Sequence, residues 1–148
     1  MKVIAITGTP GTGKSTLAKK IAKERGYYHL NLHSHYKQLS VRYDRKSQSY
    51  VIDEKKFLEL VKKEIKVHAK EKGIIIDTHI SHYLPKKLVN QGIVMTCSNL
   101  KELEKRLKKR KYSEAKIREN LDCEIFQVCL GEALERGHKV KIIDSCKK

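Results

Sequence analysis

Residues 2–16 read Lys-Val-Ile-Ala-Ile-Thr-Gly-Thr-Pro-Gly-Thr-Gly-Lys-Ser-Thr. Three different physical demands follow one another along this stretch. Lys2–Thr7 is a short β-branched run of the kind that fills a buried strand. Gly8 to Gly13 is a glycine-rich turn. Ser15–Arg25 then places Leu17, Ala18, Ile21 and Ala22 at helical spacing, and Gly26 is a plausible stop. The turn matches G-x-x-x-x-G-K-[ST] at each fixed position, from Gly8 to Ser15. Glycines let the backbone curl so that successive N–H groups face a phosphate, and the start of the following helix adds its positive dipole end. Lys14 can reach the outer phosphates of a nucleoside triphosphate, and the Ser15 hydroxyl can bind Mg²⁺. The strand before the pattern and the helix after it are the context that makes this a phosphate loop.

The rest of the chain repeats the alternation. Tyr27–Leu32 reads as a second strand, and His33–Tyr50 as a polar helix–loop excursion. Asp53 can cap a helix over Glu54–Lys72, ended by Gly73. Ile74–Asp77 and Gly92–Cys97 are strands. Asn99 can cap a helix to about Arg110, Lys111-Tyr112 is a turn, and Ser113 can cap a long helix over Glu114–Arg136. Lys139–Asp144 is a fifth strand. Strands alternating with helices imply an α/β fold around a parallel sheet, and 148 residues without a linker-like tract suggest one domain over 1–148.

Composition narrows the function. The 33 Lys and Arg against 17 Asp and Glu give a net charge of +16, which favours polyanionic partners. Residues 101–118 carry nine of these cations and three Glu. Glu104 and Lys108 within that stretch stand at i,i+4 spacing. No apolar run approaches the ~18 residues of a membrane span, and no signal-peptide core follows the N-terminus, so a cytoplasmic protein with no membrane partner is expected. The four cysteines, Cys97, Cys123, Cys129 and Cys146, include no C-x-x-C pair. They are expected to be free thiols rather than zinc ligands or a disulfide framework. Asp77 closes an apolar strand, where a carboxylate beside a phosphate loop usually anchors Mg²⁺ through water. His79, two residues on, could orient an attacking oxygen or shuttle a proton.

Three segments together, GTPGTGKST (8–16), IIIDTH (74–79) and RLKKRKYSEAKIRENLDCEIFQVCLGEA (106–133), resemble the small atypical adenylate kinases of the isoenzyme-6 type. The resemblance runs from residue 1 to about 144. It implies a P-loop NTPase fold with a five-stranded parallel sheet flanked by helices, a nucleoside-monophosphate-binding segment near 31–51 and a lid near 109–119. Gly11, Gly13, Lys14, Ser15 and Thr16 would bind ATP, and Arg110 would be the lid arginine on ATP. Asp77 and His79 match the family's D-x-H. Lys14, Asp77, His79 and Arg110 would then form the catalytic set, with Ser15 and, through water, Asp77 holding the Mg²⁺ of Mg-ATP. The implied reaction is ATP + AMP to two ADP, with a slower ATPase activity. The family is also linked to small ribosomal subunit and rRNA maturation, implying a small-subunit ribosomal protein, and possible RNA, as partners. Two alternatives stay open: an assembly ATPase with little AMP kinase activity, and a kinase of another small acceptor. The chain departs from the family at His33-Ser34-His35, where a glycine–acid pair is usual. Lys37, with Arg42 and Arg45 nearby, stands where an arginine is expected, and lysine lacks an arginine's bidentate grip on phosphate.

Overall fold

The computed structural model describes residues 1–32, 35–45 and 49–146. Its centre is a five-stranded sheet made of β1 (Lys2–Gly8), β2 (Tyr28–Asn31), β5 (Gly73–Asp77), β6 (Gln91–Thr96) and β7 (Val140–Asp144). The strand order is β2-β5-β1-β6-β7, with each neighbouring pair parallel. Parallel sheets need cover on both faces, and the side-chain period of two supplies it here. Ile74 and Ile76 pack with Val3, Leu30, Phe57 and Val61 on one face. Ile75 packs with Ile4, Ile6, Ala18 and Ile21 on the other. Each fully buried side chain of this size contributes roughly 1.5–3 kcal/mol. A third cluster, Leu103, Leu107, Ile117 and Cys97, joins two further helices at the carboxyl edge of β6.

Three of the helices begin at a residue whose side chain caps them. Helix α1 spans Lys14–Arg25 and ends at Gly26 in a left-handed cap. Asp53 Oδ1 accepts from the Lys55 and Lys56 N–H groups at the start of α3 (Glu54–Val67). Asn99 Oδ1 accepts from Glu102 N–H at the start of α4 (Leu100–Lys109). Ser113 Oγ accepts from Lys116 N–H at the start of α5 (Glu114–Ile125). Glu104 and Lys108 pair at 3.0 Å.

Four expectations need correction. The described residues between 36 and 52 form a one-turn helix, α2 (Tyr36–Leu39), and an antiparallel strand pair, β3 (Ser40–Asp44) with β4 (Ser49–Ile52), rather than a helix–loop excursion. Tyr43 and Tyr50 pair across it with ring centroids 4.9 Å apart, a contact that favours a ribbon. His33 and Ser34, and residues 46–48 of the same expected excursion, lie outside the described residues. Helix α3 stops at Val67 rather than Lys72, where the His68 ring leaves the helix line to stack on Tyr28 at 3.6 Å. The long helix over 114–136 is two helices, α5 and α6 (Val128–Glu135), broken where Gln127 takes a left-handed conformation (φ 50°). Finally, Cys97 and Cys146 are joined in a disulfide, while Cys123 and Cys129 are free. The reason is register. Thr96 on β6 faces Asp144 on β7, so the chains leaving those strands run side by side and bring the two Cα atoms to 4.8 Å.

Candidate active site

The carboxyl ends of β1, β5, β6 and β7 share one edge of the sheet, and the phosphate loop curls there between β1 and α1. Gly8, with φ 147°, has no room for a side chain: a Cβ would stand 2.5 Å from the Met95 carbonyl oxygen. Gly13, with φ 95°, is the left-handed residue that turns the loop into α1. Thr12 closes the loop on itself, its hydroxyl donating to the Thr9 carbonyl at 2.7 Å. Lys14 lies across the same curl and donates to the Gly8 and Thr9 carbonyls at 2.8 and 3.1 Å. Burial draws its pKa down to about 8, against the opposing pull of Cys129 and Asp77.

Asp77 comes to the loop from the end of β5. The Ser15 hydroxyl donates to its Oδ2 at 2.9 Å, and the His29 ring N–H donates to the same oxygen at 3.0 Å. Burial works against ionising Asp77. The His29 and Ser15 hydrogen bonds and the Lys14 charge outweigh it, and the carboxyl sits below the ordinary carboxylate range. A hydroxyl and an ionised carboxylate set side by side are hard oxygen donors that fit Mg²⁺. His79 lines the cavity above them, with its ring edge-on to Tyr36, centroids 6.1 Å apart. The Tyr36 hydroxyl shares a 2.7 Å hydrogen bond with Thr78 Oγ1, and burial raises its pKa.

That cavity encloses about 550 Å³. Gly11, Gly13, Lys14, Ser15 and Thr16 form its floor, Tyr36 and Tyr50 one wall, and Arg110, Tyr112 and Lys116 another. A second cavity of about 470 Å³ opens on the far side of the loop, between Thr16, Lys20, Met95, Arg106 and Ser145, and Arg110 borders both. Lys14, Ser15, Thr16, Asp77, His79 and Arg110 therefore meet at one place. Lys37, Arg42 and Arg45 are exposed on the segment that carries α2 and β3. Three contributors were not anticipated from the sequence. His29 holds Asp77. Arg106 donates to the Gly11 carbonyl at 3.1 Å and to Ser145 Oγ at 3.0 Å. Glu124 is 4% exposed against the loop, and burial lifts its carboxyl above the usual range. Only the i,i+4 spacing of Glu102 and Arg106 on α4 offered a hint, and it pointed to a surface pair.

Fold and site together define a P-loop nucleotide kinase. A deoxyadenosine kinase from M. mycoides, solved with bound dATP, has the same fold, with a TM-score of 0.60 at 18% identity over 98% of this chain and 91% of that one. An adenylate kinase isoenzyme 6 homolog of Caenorhabditis elegans is 35% identical over 89% of this chain and 72% of its own length. A homolog of the same name from Dictyostelium discoideum is 37% identical over 95% of this chain and 78% of its own. A family model described as an AAA domain matches residues 4–127. The chain belongs to the adenylate kinase isoenzyme 6 family within that AAA-domain group, and as such it is an enzyme of the nucleoside-monophosphate kinase kind.

Proposed function

We propose that this protein transfers the terminal phosphoryl group of ATP reversibly to AMP, giving two ADP. The observation that carries the reading is the meeting of Lys14, Ser15 and Asp77 in one cavity, which shares Gly11, Gly13, Thr16 and Arg110 with a second. One cavity runs along the loop to Arg106 and Ser145 and suits the nucleoside of ATP. The other, walled by Tyr36 and Tyr50, suits the acceptor and has a volume in the range of small-ligand sites.

Phosphoryl transfer needs positioning and charge neutralisation more than covalent help. Loop N–H groups between Gly11 and Thr16 would hold the β-phosphate. Lys14 would leave the Gly8 and Thr9 carbonyls for the phosphate oxygens between which the group moves. Arg110, on the turn between α4 and α5, would add the second positive charge as that turn closes. Ser15, and Asp77 through water, would hold the magnesium ion that arrives with ATP, which supplies further charge neutralisation. His79 would orient the acceptor oxygen. Closure of the segment near 109–119 would keep water from competing with AMP.

The test is ADP production by the purified protein from Mg-ATP, with and without AMP and with other nucleoside monophosphates as acceptors. A large AMP-dependent rise is expected, and His79→Ala should lower turnover more than it weakens ATP binding. ATP hydrolysis that ignores every acceptor would refute the kinase reading. It would favour a second reading, an ATPase of small ribosomal subunit maturation that binds a ribosomal protein or RNA. The +16 net charge supports that role. RNA binding of this origin would weaken steeply as salt rises.

A further inference from the structure

Glu124 lies near the end of α5, outside the loop, the Asp77 strand end and the lid turn, yet it reaches the phosphate loop. Its Oε1 accepts from the Thr9 hydroxyl at 3.0 Å. Its Oε2 accepts from the Cys97 N–H at 2.6 Å, where the chain has just left β6. Its own carbonyl accepts from Gln127 Nε2 at 2.7 Å, at the left-handed break that ends α5. The side chain is 4% exposed.

We propose that Glu124 is a positioning residue for ATP: it fastens the base of the lid helix to the phosphate loop, so that Thr9, and through it the carbonyls that receive Lys14, hold one shape. This rests on the phosphoryl-transfer reading above. Two donors, a hydroxyl and a backbone N–H, converge on one buried point. Only a group with two acceptor oxygens and no hydrogen of its own satisfies both as they stand. That explains why a carboxylate is kept where burial opposes its charge. Thr9 is the loop residue with the most to lose, because its carbonyl accepts from Thr12 and from Lys14. The same tie limits what a lid can move. The start of α5, next to Arg110 and Tyr112, can swing, while its end stays fixed to β6 and the loop.

The chemistry sets the order of variants. Glu124→Gln can turn its amide oxygen to Cys97 N–H and its NH₂ to Thr9 Oγ, which then accepts, so most of the tie survives. Thr9→Val removes one arm and leaves Cys97 paired. Thr9→Val with Glu124→Gln leaves a buried NH₂ without an acceptor. Glu124→Ala removes both arms.

The experiment measures ATP binding by calorimetry and steady-state kinetics with ATP and AMP varied separately, on variants whose circular dichroism matches the parent. We expect Glu124→Ala to weaken ATP binding and raise its KM about tenfold or more, the size of losing a charged hydrogen bond, with the KM for AMP nearly unchanged. Glu124→Gln should stay within about threefold on the same scale, and the double variant should be worse than the two single ones combined. Equal ATP binding by Thr9→Val, by the double variant and by the parent would overturn the proposal even if Glu124→Ala failed to fold. A parent protein that binds no ATP would instead overturn the phosphoryl-transfer reading on which the proposal stands.

Discussion

Acidification should destabilise this protein through His82. The residue lies in a 3₁₀ turn (Ser81–Tyr83) just beyond the Asp77 strand and is 3% exposed. Its Nδ1 is 2.7 Å from Thr7 Oγ1, and its Nε2 is 3.5 Å from a Glu132 carboxylate oxygen. That carboxylate would favour the imidazolium, but it is 37% exposed and distant. Burial, with Arg136 and His138 adding to it, wins and pulls the His82 pKa from 6.5 to about 4. The sign follows. On acidification the unfolded chain takes up this proton near 6.5, and the folded one only near 4. The contribution is complete above pH 6.5 and is lost as pH falls towards 4. At about 1.36 kcal/mol per pH unit, the whole gap is worth roughly 3 kcal/mol, and most of it is gone by about pH 4.5. The assay is urea unfolding followed by circular dichroism at a neutral and an acidic pH, for the parent and for His82→Gln. The parent should lose on the order of 1 M in urea midpoint more than the variant does between the two conditions. Carboxylates titrate in both proteins and cancel in the comparison. Parallel losses in parent and variant would refute the reasoning.

Two further outcomes are expected. Lys14→Ala should cut phosphoryl transfer by at least about a hundredfold, while thermal unfolding changes little, because the Lys14 hydrogen bonds go to carbonyls of its own loop. Near-normal turnover would remove Lys14 from the chemistry. Reducing the Cys97–Cys146 disulfide, which spans 49 residues, should lower stability by up to about 4 kcal/mol by the chain-entropy argument. Urea unfolding with and without a phosphine reductant reads this directly, and a Cys146→Ser protein indifferent to reductant is the control.

The phosphate loop and the five sheet strands were legible in the sequence because each is written in adjacent residues. Val3, Ile4 and Ile6 make a short β-branched run that favours a buried strand, and Gly8–Ser15 is a contiguous motif. The caps at Asp53, Asn99 and Ser113 were legible for the same reason. What was not legible depends on pairings between distant segments. His29 reaches Asp77 only because β2 lies beside β5, with Asn31 opposite Asp77. Arg106 reads as one more lysine-rich surface position until β7 places Ser145 beside it. Cys97 and Cys146 become partners only through the β6–β7 register. The β3–β4 strand pair hides because Val41, Tyr43 and Tyr50 are exposed, so no buried face prints a pattern there. Gln127 is an ordinary residue by propensity, and at the break its backbone N–H and its Nε2 both donate to the Glu124 carbonyl, a local turn that no composition signal marks.

The strand order has a consequence for a chain made from its N-terminus. β1 is central, and its partners begin only at Gly73 and Gln91. The phosphate loop therefore leaves the ribosome before the groups that complete it: its carboxylate is not made until residue 77, its arginines until 106 and 110, and Ser145 last of all. At roughly 5–20 residues per second, that leaves the loop incomplete for about six to twenty-six seconds. A half-made copy has no assembled nucleotide pocket, so ATP can reward only a chain whose sheet has closed.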